Sequence, residues 1–142
     1  MKLRLLMLGK TRRLELRAVI DDYTKRISRN APIEITEVKD AEAALKRLDA
    51  NRAATTVLLD AGGKTFSSEA FAQWLGEQRD SGAREIIFVC GDADGFPGPF
   101  RERVHQRISL SAMTYSHELA RAMLAEQLYR AFAILSGSPY PR

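Results

Sequence analysis

The sequence predicts an α/β fold in one domain, residues 1–142, with a mostly parallel sheet covered by helices on both faces. Short apolar runs alternate with longer polar or amphipathic stretches of helical length, the pattern of strand–helix–strand units. One run, Glu85 to Cys90, is apolar almost throughout, as in a strand buried on both sides. No repeat, low-complexity stretch or linker divides the 142 residues, a length that can bury one core.

The elements follow in order. Lys2 to Leu8 reads as a strand ending at Gly9. Arg12 to Arg29 reads as a helix with Leu14, Ala18 and Tyr23 set in a charged surround. Ile33 to Val38 alternates apolar and polar residues, as a half-buried strand does. Ala41 to Asn51 is helical, with Ala44, Leu45 and Leu48 on one face. Thr55 to Leu59 is a β-branched and leucine run that stops at Asp60, before Gly62-Gly63. Ser67 or Ser68 caps a helix whose Phe71, Trp74 and Leu75 face inward. A glycine- and proline-rich loop, Gly91 to Pro99, leads to a short charged helix over Phe100 to Gln106 and a brief strand over Ile108 to Ser111. A long helix runs from His117 to Leu135, and a short tail ends at Arg142. Its stripe of Ala120, Leu124, Leu128, Ala131, Phe132 and Leu135 is widened by Leu119, Met123 and Ile134. A helix this apolar is either deeply buried or covered by a second copy of the chain.

Composition narrows the function classes. Lys and Arg exceed Asp and Glu by 22 to 18, a formal +4, which permits an anionic partner without demanding one. The lone cysteine, Cys90, closes an apolar run and reads as a buried strand residue rather than a nucleophile. One cysteine makes no internal disulfide, which suits a reducing cytoplasm. No apolar run reaches the roughly 20 residues of a membrane span. The N-terminal apolar stretch is too short for a signal peptide and is interrupted by Arg4. These points predict a soluble, cytoplasmic protein.

Ligands in open α/β sheets sit beyond the C-terminal ends of the strands. Three loops occupy such positions here. Leu59 to Lys64 carries two glycines and is otherwise a plain turn. Cys90 to Gly98 lacks the spaced glycines and terminal Lys-Ser/Thr of a phosphate loop. Asp92 and Asp94 lack the further oxygen ligands of a calcium loop and read as turn formers. Ile108 to His117 is rich in small and hydroxyl residues, a wall able to hold an adenine ring by main-chain hydrogen bonds. His117 is open to three functional readings, helix cap, titrating group or ligand contact, beside the ordinary one that a lone histidine is none of these. The tail, Ser136 to Arg142, reads first as a frayed end, yet it finishes on an aromatic and an arginine, which stack on bases and pair with phosphates. No cluster has metal-ligand spacing.

Taken together, these segments resemble the YbeA/RlmH-type methyltransferases of the SPOUT superfamily. The likeness runs from Met1 to the last residue. It is strongest over Leu110 to Ile134, LSAMTYSHELARAMLAEQLYRAFAI, with support from Phe66-Ser67-Ser68-Glu69, Leu75 and a tail carrying Tyr140. The resemblance implies S-adenosylmethionine-dependent methylation of N3 of a pseudouridine in helix 69 of 23S rRNA, on the assembled ribosome. It implies a homodimer and a C-terminal trefoil knot, which general rules of chain topology argue against. It assigns the cofactor to Leu59, Gly91 and the run Leu110, Ser111, Ala112, Met113, Thr114 and Tyr115. It sets His117, Arg130, Tyr140 and Arg142 on the substrate side. In that scheme the two arginines hold RNA phosphates or base carbonyls, Tyr140 stacks on or orients the base, and His117 is the candidate general base. Arg12, Arg13, Arg17, Lys25 and Arg26 either contact the rRNA backbone or form a solvated helix face.

The chain departs from the family in four places. Asp92 stands where a second glycine is usual, Pro141 where the tail has a histidine, and Ser116 where a proline precedes the histidine. The Val38–Thr55 segment is also short. Asp92 and Pro141 keep open a non-catalytic ribosome-binding protein of the same fold. A nucleotide-binding α/β enzyme unrelated to RNA is a third class, disfavoured by the missing phosphate loop and the basic, aromatic tail.

Overall fold

The computed structural model describes residues 1–141. Five strands form one all-parallel sheet in the order β2-β1-β4-β3-β5. They are β1 (Lys2–Leu8), β2 (Ile33–Val38), β3 (Thr55–Thr65), β4 (Glu85–Cys90) and β5 (Gln106–Ser109). The helices are α1 (Leu14–Ile27), α2 (Ala41–Ala50), α3 (Ser68–Asp80), α4 (Gly98–Arg103) and α5 (His117–Ser136).

Side-chain alternation along the central strands builds two cores. Leu3, Leu5 and Met7 of β1 and Ile86, Phe88 and Cys90 of β4 face α1, α3 and α5. Leu6 and Leu8, with Ile87 and Val89, face α2 and α4, where Ala44, Leu48 and Phe100 close the layer. Cys90 is buried, and burial pushes its thiol up to about 12, so it is neither exposed nor ionised near neutral pH.

Three local expectations change. In α1 the buried residues are Leu16, Ile20 and Ile27 with Tyr23 half-buried, whereas Leu14 is 76% exposed and Ala18 is exposed. Leu14 is the first helical residue and lies outside the stripe that α5 covers. In α5 Leu124, Leu128, Ala131 and Phe132 of the expected stripe are buried together with Arg121, whereas Leu119 and Ile134, expected to widen it, are exposed.

The third change is in β3, which does not stop at Leu59. Leu59 and Lys64 both register with Ile108 of β5, so the intervening residues bulge outward and the strand resumes. Gly63 is required there: a Cβ would lie 2.7 Å from the Arg107 carbonyl carbon and the Ile108 nitrogen, both backbone. Gly63→Ala therefore forces β3 and β5 apart, at an expected cost of about 1–3 kcal/mol. Chemical denaturation checks this, and an unchanged midpoint refutes it. Correspondingly, β5 begins two residues before the predicted Ile108 and ends at Ser109.

Candidate functional site

The ends of β3, β4 and β5 open into one cleft of about 240 Å³. One wall is Leu59, Asp60 and Ala61 at the start of the β3 bulge; another is Gly91 and Asp92 with Phe96 behind them. The third is the segment after β5, with Leu110, Ser111, Met113, Thr114 and Tyr115, and His117 at the start of α5. Every residue in the cofactor set implied by the resemblance lines this cleft except Ala112, which is exposed in the same loop.

Local geometry explains the walls. Asp92 Oδ1 accepts from the Asp94 amide at 3.0 Å, and the Gly95 amide donates to the Asp92 carbonyl, so this pair forms a turn as expected. Gly91 is packed so closely that a Cβ would meet the Phe96 ring at 3.0 Å. Ser111 Oγ accepts from the Met113 amide, and Ser109 Oγ donates to the Ser111 carbonyl, which shapes the third wall. Ser116, not His117, caps α5: its side chain accepts from the Leu119 amide. His117 is thereby left free of the cap and faces the cleft.

Charge at the rim is ordered. Asp60 accepts from Arg107 at 3.0 Å and pairs with Arg101 at 3.2 Å. Burial pushes the Asp60 carboxyl up. The Arg107 hydrogen bond, the Gly62 amide and the two guanidinium charges outweigh this and hold it below the ordinary carboxylate value.

Behind the cleft sits a residue that sequence reasoning missed. Arg121 donates to the carbonyls of Leu8 (2.5 Å), Gly9 (3.0 Å) and Gly91 (3.4 Å) and to Thr11 Oγ1 (3.0 Å). One guanidinium thus joins the C-terminal ends of β1 and β4 to α5. Burial lowers its pKa, while the neighbouring Cys90, Glu37 and Glu118 act in the opposite sense, and an arginine stays charged. One turn earlier on α5, Glu118 Oε1 accepts the amides of Arg12 (2.8 Å) and Arg13 (2.9 Å). These backbone bonds, Arg13 first, hold the Glu118 carboxyl below its ordinary value against the effect of burial. A lowered folded pKa stabilises the fold above the unfolded value of about 4.3, and the contribution fades as pH falls through the lowered one. Glu118→Gln is therefore expected to be less stable than the parent at pH 7 and to converge on it toward pH 3. A constant gap across that range refutes the assignment.

Arg130 and Tyr140 are not in the cleft. Arg130 lies thirteen residues beyond His117 on α5, about 20 Å at a helix's rise per residue. There Glu126 Oε2 accepts from Arg130 Nη2 at 2.8 Å and from the Tyr140 hydroxyl at 2.9 Å. Arg130 also donates to the Pro141 carbonyl, and its guanidinium lies over the Tyr140 ring at 4.9 Å. The tail that reads as frayed is thus tied to α5. Arg142 lies outside the described residues. Between the two clusters runs an apolar groove of about 500 Å³, lined by Leu16, Val19, Leu110, Leu119 and Met123 among others.

Of the five cationic residues near α1, three are paired within the chain: Arg13 with Glu15, Arg17 with Glu37 and Arg26 with Asp22. Among the described residues, no three His, Cys, Asp or Glu converge as a metal site would require.

Known proteins match this arrangement. Residues 1–141 match the family model described as "Predicted SPOUT methyltransferase". A protein of Pelobacter propionicus named "Ribosomal RNA large subunit methyltransferase H" is 40% identical over 99% of both chains. One of the same name from Koribacter versatilis is 41% identical over 99% of this chain and 97% of its own. Among solved structures, a probable methylase family protein from Haemophilus influenzae superposes with a TM-score of 0.58 at 11% identity, covering 96% of this chain and 66% of that one. The SpoU methyltransferase AviRb from Streptomyces viridochromogenes, in complex with the cofactor AdoMet, superposes with a TM-score of 0.52 at 11% identity, covering 97% of this chain and 61% of that one. At that identity the structures speak for the fold alone. The family model and the relatives together assign the chain: it belongs to the SPOUT methyltransferase family.

Proposed function

We propose that the chain is an S-adenosylmethionine-dependent methyltransferase acting on N3 of a pseudouridine in helix 69 of 23S rRNA, on the assembled ribosome in the cytoplasm. The observation that carries this is the convergence of Leu59, Gly91 and the Leu110–Tyr115 wall on one cleft. The relatives named as ribosomal RNA large subunit methyltransferases point to the RNA substrate. The fit to the cofactor is good. Leu59, Leu110 and Met113 offer apolar surface to an adenine, and the loop backbones offer amides and carbonyls. When bound, the cofactor supplies a methyl on a positive sulfonium, already electrophilic. The protein's own residues bring N3 in line with it and let the N3 proton leave. Arg130 and Arg142 hold phosphates or base carbonyls, Tyr140 orients the base, and His117 at the cleft is the candidate base for the proton.

Separation of the two clusters supports a homodimer. In a single copy Arg130 is thirteen residues beyond His117 on α5, about 20 Å along the helix, and Tyr140 is tied to Glu126 outside the cleft, so a partner's tail would have to reach it. The apolar groove, with Leu119 and Val19 exposed beside it, is a suitable face for that partner. Leu119→Glu is expected to shift the protein from dimer to monomer in sedimentation and to abolish transfer. A dimeric, active variant refutes this. The knot implied by the resemblance belongs to the same proposal. In its support, the chain leaves β5 at the sheet edge, and Arg121 of the following helix bonds to carbonyls at the ends of β1 and β4.

The test is incubation of the protein with labelled S-adenosylmethionine and ribosomes lacking the helix 69 methyl mark, with the label mapped by mass spectrometry. Label on the helix 69 pseudouridine is expected. Cofactor binding without transfer would point to another substrate, and neither binding nor transfer to the non-catalytic alternative. Arg142→Ala is expected to cripple transfer at nearly intact cofactor affinity.

A further inference from the structure

We propose that Tyr23 of α1 and Glu126 of α5 are positioning residues that aim Tyr140 and Arg130 at the RNA base. The inference rests on the substrate-side role given above to those two residues.

The geometry is a directed chain. The Glu126 carboxylate only accepts, so the Tyr140 hydroxyl donates to it at 2.9 Å. The Tyr23 and Tyr140 hydroxyls are 2.9 Å apart, and Tyr140 has already committed its single proton. Tyr23 therefore donates to Tyr140, and the order is Tyr23 to Tyr140 to Glu126. Such a chain strengthens each of its members. The Tyr140 and Tyr129 rings are nearly perpendicular with centroids 4.7 Å apart, and the Arg130 guanidinium lies over the Tyr140 ring. A residue three positions past the helix cap is ordinarily loose; this one is fixed at its oxygen and on its ring. The same Glu126 oxygen holds Arg130, so a single carboxylate sets the spacing between the aromatic and the cation. Burial first, then the hydrogen bonds with Tyr23 and Glu126, push the Tyr140 phenol above its ordinary pKa. The phenol stays neutral and its proton is engaged, which suits orientation of a base rather than removal of its proton.

The experiment is single-turnover transfer to unmethylated ribosomes at saturating S-adenosylmethionine, with cofactor affinity measured by calorimetry. The variants are Tyr23→Phe, Glu126→Gln, Tyr140→Phe and the double variant Tyr23→Phe/Tyr140→Phe. Tyr23→Phe is expected to slow transfer about tenfold, the effect of one lost orienting hydrogen bond, with cofactor affinity unchanged. Glu126→Gln is expected to be slower still, because the arginine loses its counter-charge. In the Tyr140→Phe background, Tyr23→Phe is expected to add nothing, as for residues acting through one another. Ultraviolet titration should find the Tyr140 phenol nearer its ordinary pKa in Tyr23→Phe. Additive losses in the double variant, or wild-type transfer by Tyr23→Phe while Tyr140→Phe is slow, overturn the inference and leave the Tyr140 assignment standing. Wild-type transfer by Tyr140→Phe overturns that assignment and the inference with it.

Discussion

Arg130→Ala is expected to slow methyl transfer by about two to three orders of magnitude, the usual loss when one preorganised charge facing a reacting group is removed. Cofactor affinity should stay within about twofold, because Arg130 lies outside the cleft that Leu59, Gly91 and Leu110 line. The loss has two physical parts. One is the cation itself, which in the proposed role neutralises phosphate or favours the deprotonated base. The other is the tail, since Arg130 donates to the Pro141 carbonyl and covers the Tyr140 ring. Arg130→Lys separates them, because a lysine keeps the charge but not the planar fork. Transfer rates and calorimetric affinities on the same preparations decide the matter. An equal fall in both would sink the assignment of Arg130 to the substrate side.

Arg121→Met has the largest expected effect on stability. Methionine matches the aliphatic stem and fills similar space, so packing changes little. What is lost is a donor set that serves three carbonyls and the Thr11 hydroxyl where β1, β4 and α5 meet. Each buried acceptor left unmatched costs about 1–3 kcal/mol, and water entry into the gap recovers part of that. A net loss of about 3–5 kcal/mol follows, or a fall of about 10 °C or more in the melting temperature of a domain this size. Arg121→Lys should fall between the two, since an ammonium reaches fewer of these acceptors at once. A melting temperature within a few degrees of the parent would show that the carbonyls have other partners.

The contrast between these two arginines shows what was legible in the sequence. β1 and β4 could be read because their burial is written locally, in runs such as Ile86 to Cys90. The three walls of the cleft were reachable because each follows a strand end, where an open α/β sheet binds ligands. Arg121 was not reachable from pattern. It stands between Ala120 and Ala122 on α5, with nothing beside it in sequence to mark a role, and its acceptors come from residues 30 and more than 100 positions away. The Tyr23–Tyr140 bond spans 117 positions and left no local trace either. Gly62-Gly63 misled for the opposite reason. Two glycines are a strong turn signal, but the pairing of Lys64 and Thr65 with β5 brings the strand back, and that is decided by another strand. The phase of α1 slipped because Leu14 begins the apolar series in sequence while lying outside the face that α5 covers.

The packing of α1 against α5 also dictates a timetable. The inner face of α1, Leu16 and Ile20, is made well before the helix that covers it, residues 117–136. β1 likewise waits for β4, since its neighbours in the sheet are β2 and β4. Contacts of such long sequence separation form late and slowly, so the nascent chain carries uncovered apolar surface until residues 117–136 have emerged. A truncation that removes α5 would remove the seal on this core, leaving a chain that aggregates rather than a smaller, working domain.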